Sequence, residues 1–185
     1  MLLLLPIDIY LHNIVTFYEE KKMENSVVAV VMGSDSDMEV MQSCIEQLDY
    51  FGIKPEVRII SAHRTPKIAS DFAQNAAENG IKVIIAAAGM AAHLAGAMAA
   101  QSILPIIGVP LMSGSGLGGV DALLSTVQMP PGVPVATMAI GRAGAKNAAV
   151  FAVQILALSD KKYQQKLADF RKEQEKRVIQ KDSII

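Results

Sequence analysis

The sequence predicts an open, doubly wound α/β domain, a three-layer arrangement with one parallel sheet covered by helices on both faces. Three observations predict it. Short β-branched, apolar runs alternate with segments of helical spacing over most of the chain. Such alternation implies right-handed crossovers and parallel strands. The first run, residues 27–32, is apolar throughout rather than at every second residue, as a strand buried on both faces is. Three of the loops that follow them gather hydroxyls, carboxylates, two of the three histidines and an arginine, and ligands in such sheets bind at the carboxyl ends of strands.

The elements follow in order. Residues 27–32 are β-branched-rich and end at Gly33, which predicts the first strand. Residues 37–51 carry apolar side chains at helical spacing. Residues 56–60 form a second strand, and Ser61 to Pro66 a loop. Pro66 suits the first turn of a helix that runs to about Asn79, where Gly80 stops it. A third strand spans 82–87, an Ala-rich helix 91–102, and a short fourth strand 105–109. The Gly- and Ser-rich loop 110–119 precedes a helix at 120–127. A fifth strand spans 134–139, a long apolar helix 143–158, and a charged amphipathic helix runs from Asp160 to about Gln180.

Composition narrows the function. A chain of 185 residues fits one domain with a single core. It is 51% hydrophobic, rich in Ala and Gly, and has no Trp, which suggests close packing that extends between subunits. The net charge of -1, without any block of Lys or Arg, argues against a nucleic-acid or membrane-surface partner. A single cysteine, Cys44, allows no internal disulfide and reads as a core residue of its helix, compatible with a reducing cytoplasm. Residues 1–10 lack the basic segment and cleavage site of a signal peptide and are too short to span a bilayer. Residues 1–22 are expected to be an upstream extension or a misassigned start, outside the chemistry, leaving 23–185 as one domain.

The loop after the first strand, Gly33-Ser34-Asp35-Ser36-Asp37, turns directly into a helix. Free amides and the helix dipole there favour an anion, and Ser34 and Ser36 add hydroxyl donors. The same residues also read as helix caps. Asp37 would repel a phosphate and fits a sugar hydroxyl better. In Ser61-Ala62-His63-Arg64-Thr65-Pro66 a proton-transferring imidazole stands beside a cation suited to phosphate, and Thr65 is placed to cap the next helix. His93, on the Ala-rich helix, reads on local evidence as a satisfied core histidine. Gly114, Gly116 and Gly119 have GxGxxG spacing but follow the fourth strand, with no acidic residue closing the next one, so they read as a flexible loop. No Gly-Lys-Ser/Thr phosphate loop occurs, and with His12 lying in the extension the histidines make no metal constellation.

Five segments together resemble one family: VMGSDSD, SAHRTP, AAHLAG, LLSTVQMPPGVPVAT and GAKNAAVFAVQIL, spread over about Val27 to Arg177. Their order and spacing are similar to the PurE class I family of N5-carboxyaminoimidazole ribonucleotide mutases. The resemblance implies a flavodoxin-like sheet, no cofactor and no metal, and a homo-octamer with active sites at subunit junctions. It implies a purine-biosynthetic isomerase acting on a small ribonucleotide, through transient CO2, with possible contact to the synthetase that makes the substrate. By position, Ser34, Ser61 and Arg64 would hold the 5′-phosphate and Asp37 the ribose. His63 would be the catalytic proton shuttle, and Gly89 to Leu94, including His93, would line the pocket for base and carboxylate.

The third loop departs from the pattern, with Ala87, Met90 and Ala95 where relatives commonly carry Gly, Gly and Pro. Loss of glycine at Met90 restricts the backbone or narrows the pocket. Loss of proline at Ala95 is expected to loosen the helix start. Two competing readings remain open. One is direct carboxylation of aminoimidazole ribonucleotide with CO2, as in animal-type relatives, which commonly carry Gly-Arg-Ser-Asn where this chain has Met90-Ala91-Ala92-His93. The other is a non-catalytic nucleotide-binding oligomer.

Overall fold

The computed structural model describes residues 26–114 and 117–184. The expected extension, residues 1–22, lies outside the described residues, as do Ser115 and Gly116 of the Gly-rich loop. The elements run β1 (Val28–Met32), a 3-10 turn (Asp35–Asp37), α1 (Met38–Tyr50), β2 (Glu56–Ile59), α2 (Pro66–Asn75), β3 (Val83–Gly89), α3 (Leu94–Ala99), β4 (Ile106–Leu111), α4 (Val120–Val127), β5 (Ala136–Thr137), α5 (Arg142–Ala157) and α6 (Lys161–Asp182). The sheet is parallel throughout in the order β2-β1-β3-β4-β5. That is the flavodoxin-like order, whose switch point falls between β1 and β3.

Every residue of β1 is buried because helices cover both of its faces. Val28, Val30 and Met32 face Met41, Cys44, Leu48, Ala145, Ala148 and Ala152 of α1 and α5. Ala29 and Val31 face Ala69 and Ala73 of α2 and Leu94, Ala95 and Met98 of α3. Each large aliphatic side chain buried this way, such as Ile84, Ile85 or Ile107, contributes about 1.5–3 kcal/mol. Alanines let the helices lie close to the sheet. At Gly108 of β4 a methyl group would collide with Thr126 Cγ2 of α4. Cys44 is fully buried, as expected, and burial pushes its thiol up to about 12. The amphipathic α6 is capped by Asp160, whose carboxylate accepts the Lys162 N–H at 2.8 Å. It docks through Phe170, edge-on to Phe51 at 5.2 Å between ring centres.

The expected elements are all present, with shifts that have local causes. β3 runs on to Gly89 because Ala88 and Gly89 pair with Pro110 and Leu111. β4 accommodates Pro110 because β5 pairs only with Ile107 and Gly108, so the proline lies past the end of that ladder. β5 keeps two residues instead of six, although the Met138 and Gly141 amides still donate to Gly108 and Pro110 carbonyls at 2.9 Å. α2 ends at Asn75 and continues as turns to Gly80, whose φ of 89° marks the stop. α3 begins at Leu94 rather than Ala91. The residues before it form tight turns, and the first helical bond runs from the Ala97 N–H to the His93 carbonyl at 2.8 Å.

Candidate active site

The strand order sets the loops after β1, β2 and β3 side by side at the carboxyl edge of the sheet. The Gly33 N–H donates to the Ala87 carbonyl at 3.1 Å, tying the first loop to β3. Arg64 ties the second loop to the first. Its Nη2 donates to the Gly33 carbonyl at 2.9 Å, and its Nε lies 3.3 Å from Ser61 Oγ. Ser61, Arg64 and the Ser34 turn thus form one cluster of donors.

The cap reading of the first loop holds. Ser34 caps the 3-10 turn, while Asp37 Oδ2 accepts the Ser34 N–H at 3.0 Å, a reciprocal capping box. The Ser36 hydroxyl donates to Ser34 Oγ at 3.0 Å and stays exposed. Burial raises the Asp37 carboxyl above its ordinary value, against the Ser34 and Gly33 amides and the Arg64 charge that lower it. Asp35, fully exposed, is held low chiefly by the Ser34 hydroxyl. Thr65 occupies the helix-cap position but does not cap. Its hydroxyl turns back, donating to the Ser61 carbonyl at 2.9 Å and accepting the Ser61 N–H at 3.1 Å, which closes the loop on itself.

The reading of His93 as a core histidine is corrected. Because α3 starts at Leu94, three residues later than expected, His93 sits at its cap position, exposed, and faces the second loop. His63 Nε2 and His93 Nδ1 are 2.9 Å apart, with the rings 76° from coplanar. One of these two nitrogens carries the proton of the contact while the other accepts it, so the pair can pass a proton along that line.

Gly89 ends β3 against Leu111, and a side chain there would press its Cβ to 3.3 Å from the Leu111 carbonyl oxygen. Leu94 places its side chain in the core, 2% exposed, so only its backbone can border a ligand. Ala87 is fully buried within the sheet. Met90, the departure from glycine, adopts φ 55°, the left-handed region that glycine favours, with 56% of its surface exposed.

Two residues of this edge had no local signal in the sequence. Ser113, just beyond β4, has a buried hydroxyl without a hydrogen-bond partner among the described residues, close beside Gly89. Ser125, in the middle of α4, bonds the Met90–Ala92 turn. A serine inside a helix gives no hint of which loop it will reach. Among the described residues no three His, Cys, Asp or Glu side chains gather as a metal site, and no helix is long and apolar enough to cross a membrane.

Fold and edge together define a flavodoxin-like α/β protein with a histidine pair and a serine–arginine cluster at its switch point. The family model described as AIR carboxylase matches residues 27–177, and the chain belongs to that family of enzymes. The N5-carboxyaminoimidazole ribonucleotide mutase of Escherichia coli strain K12 is 52% identical over 153 residues, covering 83% of this chain and 90% of the relative. The protein of that name from Pyrococcus horikoshii is 49% identical over 160 residues, covering 86% and 89%. The crystal structure of Treponema denticola PurE superposes with a TM-score of 0.77 at 30% identity, over 85% of this chain and 97% of the other. The resemblance carried by the five motifs is borne out, as is the flavodoxin-like sheet.

Proposed function

We propose that this chain converts N5-carboxyaminoimidazole ribonucleotide to 4-carboxyaminoimidazole ribonucleotide in purine biosynthesis. The observation that carries this reading is the 2.9 Å contact between His63 and His93, set beside the donors of Ser34, Ser61 and Arg64. Relatives bearing the mutase name at about half identity support it.

Ser34, Ser61 and Arg64, with Ser36 adding a hydroxyl, would hold the 5′-phosphate. One Asp37 carboxylate oxygen is engaged by Ser34, which leaves the other to accept from a ribose hydroxyl. Gly89 to Leu94 would border the base and carboxylate. His63 donates a proton to the carboxylated nitrogen, whose bond to the carboxyl carbon then breaks, leaving its electron pair on nitrogen and releasing CO2. The enamine-like ring carbon attacks the held CO2, and its electron pair forms the new carbon–carbon bond. His63, now neutral, removes the proton from that tetrahedral carbon and returns to its starting state. Confinement of CO2 by the alanine-rich loop keeps the second step effectively intramolecular.

The same reading makes residues 23–185 the single mutase domain, needing no cofactor and working in the cytoplasm, and leaves residues 1–22 outside the chemistry. It also makes the chain a homo-octamer with sites at subunit junctions. The exposed Ile103, Met112, Leu117, Val120, Leu124 and Val127 support an extensive subunit contact. The purified protein should convert the N5-carboxy compound without ATP or bicarbonate, and His63→Asn should abolish conversion. Turnover only of aminoimidazole ribonucleotide with bicarbonate, or full turnover by His63→Asn, would overturn this reading.

A further inference from the structure

The turn that carries His93 is held from outside its own loop. The Ala92 N–H faces two acceptors, the Met90 carbonyl at 2.9 Å and Ser125 Oγ at 3.0 Å. Ser125 Oγ in turn lies 2.9 Å from the Asp121 carbonyl of its own helix and 3.4 Å from the Met90 carbonyl. Next to it, the buried Thr126 donates to the Ala122 carbonyl at 2.7 Å, with the Ala92 carbonyl at 3.5 Å. Among the described residues, these two α4 hydroxyls provide the side-chain hydrogen bonds to the 90–92 backbone.

That turn has reason to be held. Met90 sits at φ 55°, which costs a residue other than glycine free energy and persists only where the surroundings impose it. His93 follows the turn directly, and its contact with His63 tolerates displacement of only about 0.5 Å. We propose that Ser125 is a positioning residue: seated on α4, its hydroxyl fixes the Met90–Ala92 turn so that His93 keeps its 2.9 Å contact with His63, the proposed proton shuttle. The inference rests on the proton transfer proposed above. It goes beyond that proposal in giving α4, which carries none of the proposed substrate contacts, a part in the rate.

The test is steady-state conversion of N5-carboxyaminoimidazole ribonucleotide by Ser125→Ala, with ring 15N NMR of His63 and His93 in ligand-free protein. Turnover should fall about tenfold, the size expected when one hydrogen bond stops holding a catalytic geometry. KM should change less than turnover, because the phosphate and ribose ligands lie on other loops and the 89–94 turn borders only the base and carboxylate. The ring 15N signals should move toward those of unpaired imidazoles. In a Met90→Gly background the turn adopts its conformation without strain, so the same substitution should cost only about threefold. Ser125→Cys, a poorer acceptor of the same shape, should fall between and covers a failure of the alanine variant to fold. Folded variants with turnover unchanged, unmoved ring signals, or equal losses in both backgrounds would each overturn the proposal. If the wild-type protein proves inactive, the proposed reaction fails, while the ligand-free ring signals still decide the role of Ser125.

Discussion

At residue 90 the usual order of alanine and glycine should reverse. In the middle of a helix or strand, glycine is the worse choice by about 0.5–1 kcal/mol because it has more backbone freedom to lose on folding. At φ 55° a residue with a Cβ meets the left-handed penalty of about 1–2 kcal/mol, which glycine avoids. Subtracting the first from the second leaves Met90→Gly more stable than Met90→Ala by about 0–1.5 kcal/mol, centred on ~0.75 kcal/mol. Comparing these two variants, rather than either with wild type, removes the lost burial of the methionine from the difference. That burial is partial, since Met90 is 56% exposed. The control is Ala168→Gly on the exposed face of α6, where the left-handed penalty is absent and glycine should cost about 1 kcal/mol. Urea unfolding or thermal melting at matched protein concentration reads all three, and 1 kcal/mol corresponds to about 2–4 °C in a chain of this size. If Met90→Ala melts above Met90→Gly, the turn does not hold the left-handed conformation, and the strain ascribed to it is wrong.

Two further outcomes follow from the charged and thiol groups. Burial raises the Asp37 carboxyl above its ordinary 3.8, so the folded protein binds that proton more tightly than the unfolded chain does. Stability therefore falls as pH rises from 3.8 through the folded value and stays lower above it. Asp37→Asn keeps an acceptor for the Ser34 N–H without the charge. In ligand-free protein it should unfold at higher urea than wild type at neutral pH, by a margin that closes as pH falls through that window. A margin of the opposite sign, or one independent of pH, would contradict the burial assigned to Asp37. Cys44, buried with its thiol pushed up to about 12, should resist iodoacetamide at pH 8 for as long as the denatured chain takes to label completely. Rapid stoichiometric labelling of the native protein would show that α1 opens far more readily than its packing implies.

What was legible in the sequence was whatever a short window determines. Continuous apolar runs marked strands buried on both faces, and Gly80 and Pro66 marked a helix stop and start. The hydroxyls, His63 and Arg64 stood out because each follows a strand, where such sheets bind ligands. The shape of the edge was not legible, because it depends on which strands become neighbours. Only the order β2-β1-β3 brings His63 and His93 together from 30 residues apart. His93 itself was obscured by composition, since a run of alanines continues the helical pattern back to Ala91 although the chain turns twice before Leu94. Helix propensity lost there to the Ala92 and His93 amides, which bond within the turn and, at Ala92, to Ser125 across the fold. The same competition accounts for Thr65, whose cap position is plain in the sequence while its hydroxyl serves the Ser61 loop. In each case a local rule yields where backbone groups at the sheet edge find a partner from another segment. Those partners are what aim the side chains proposed to act on substrate, so the misread residues gather around His63.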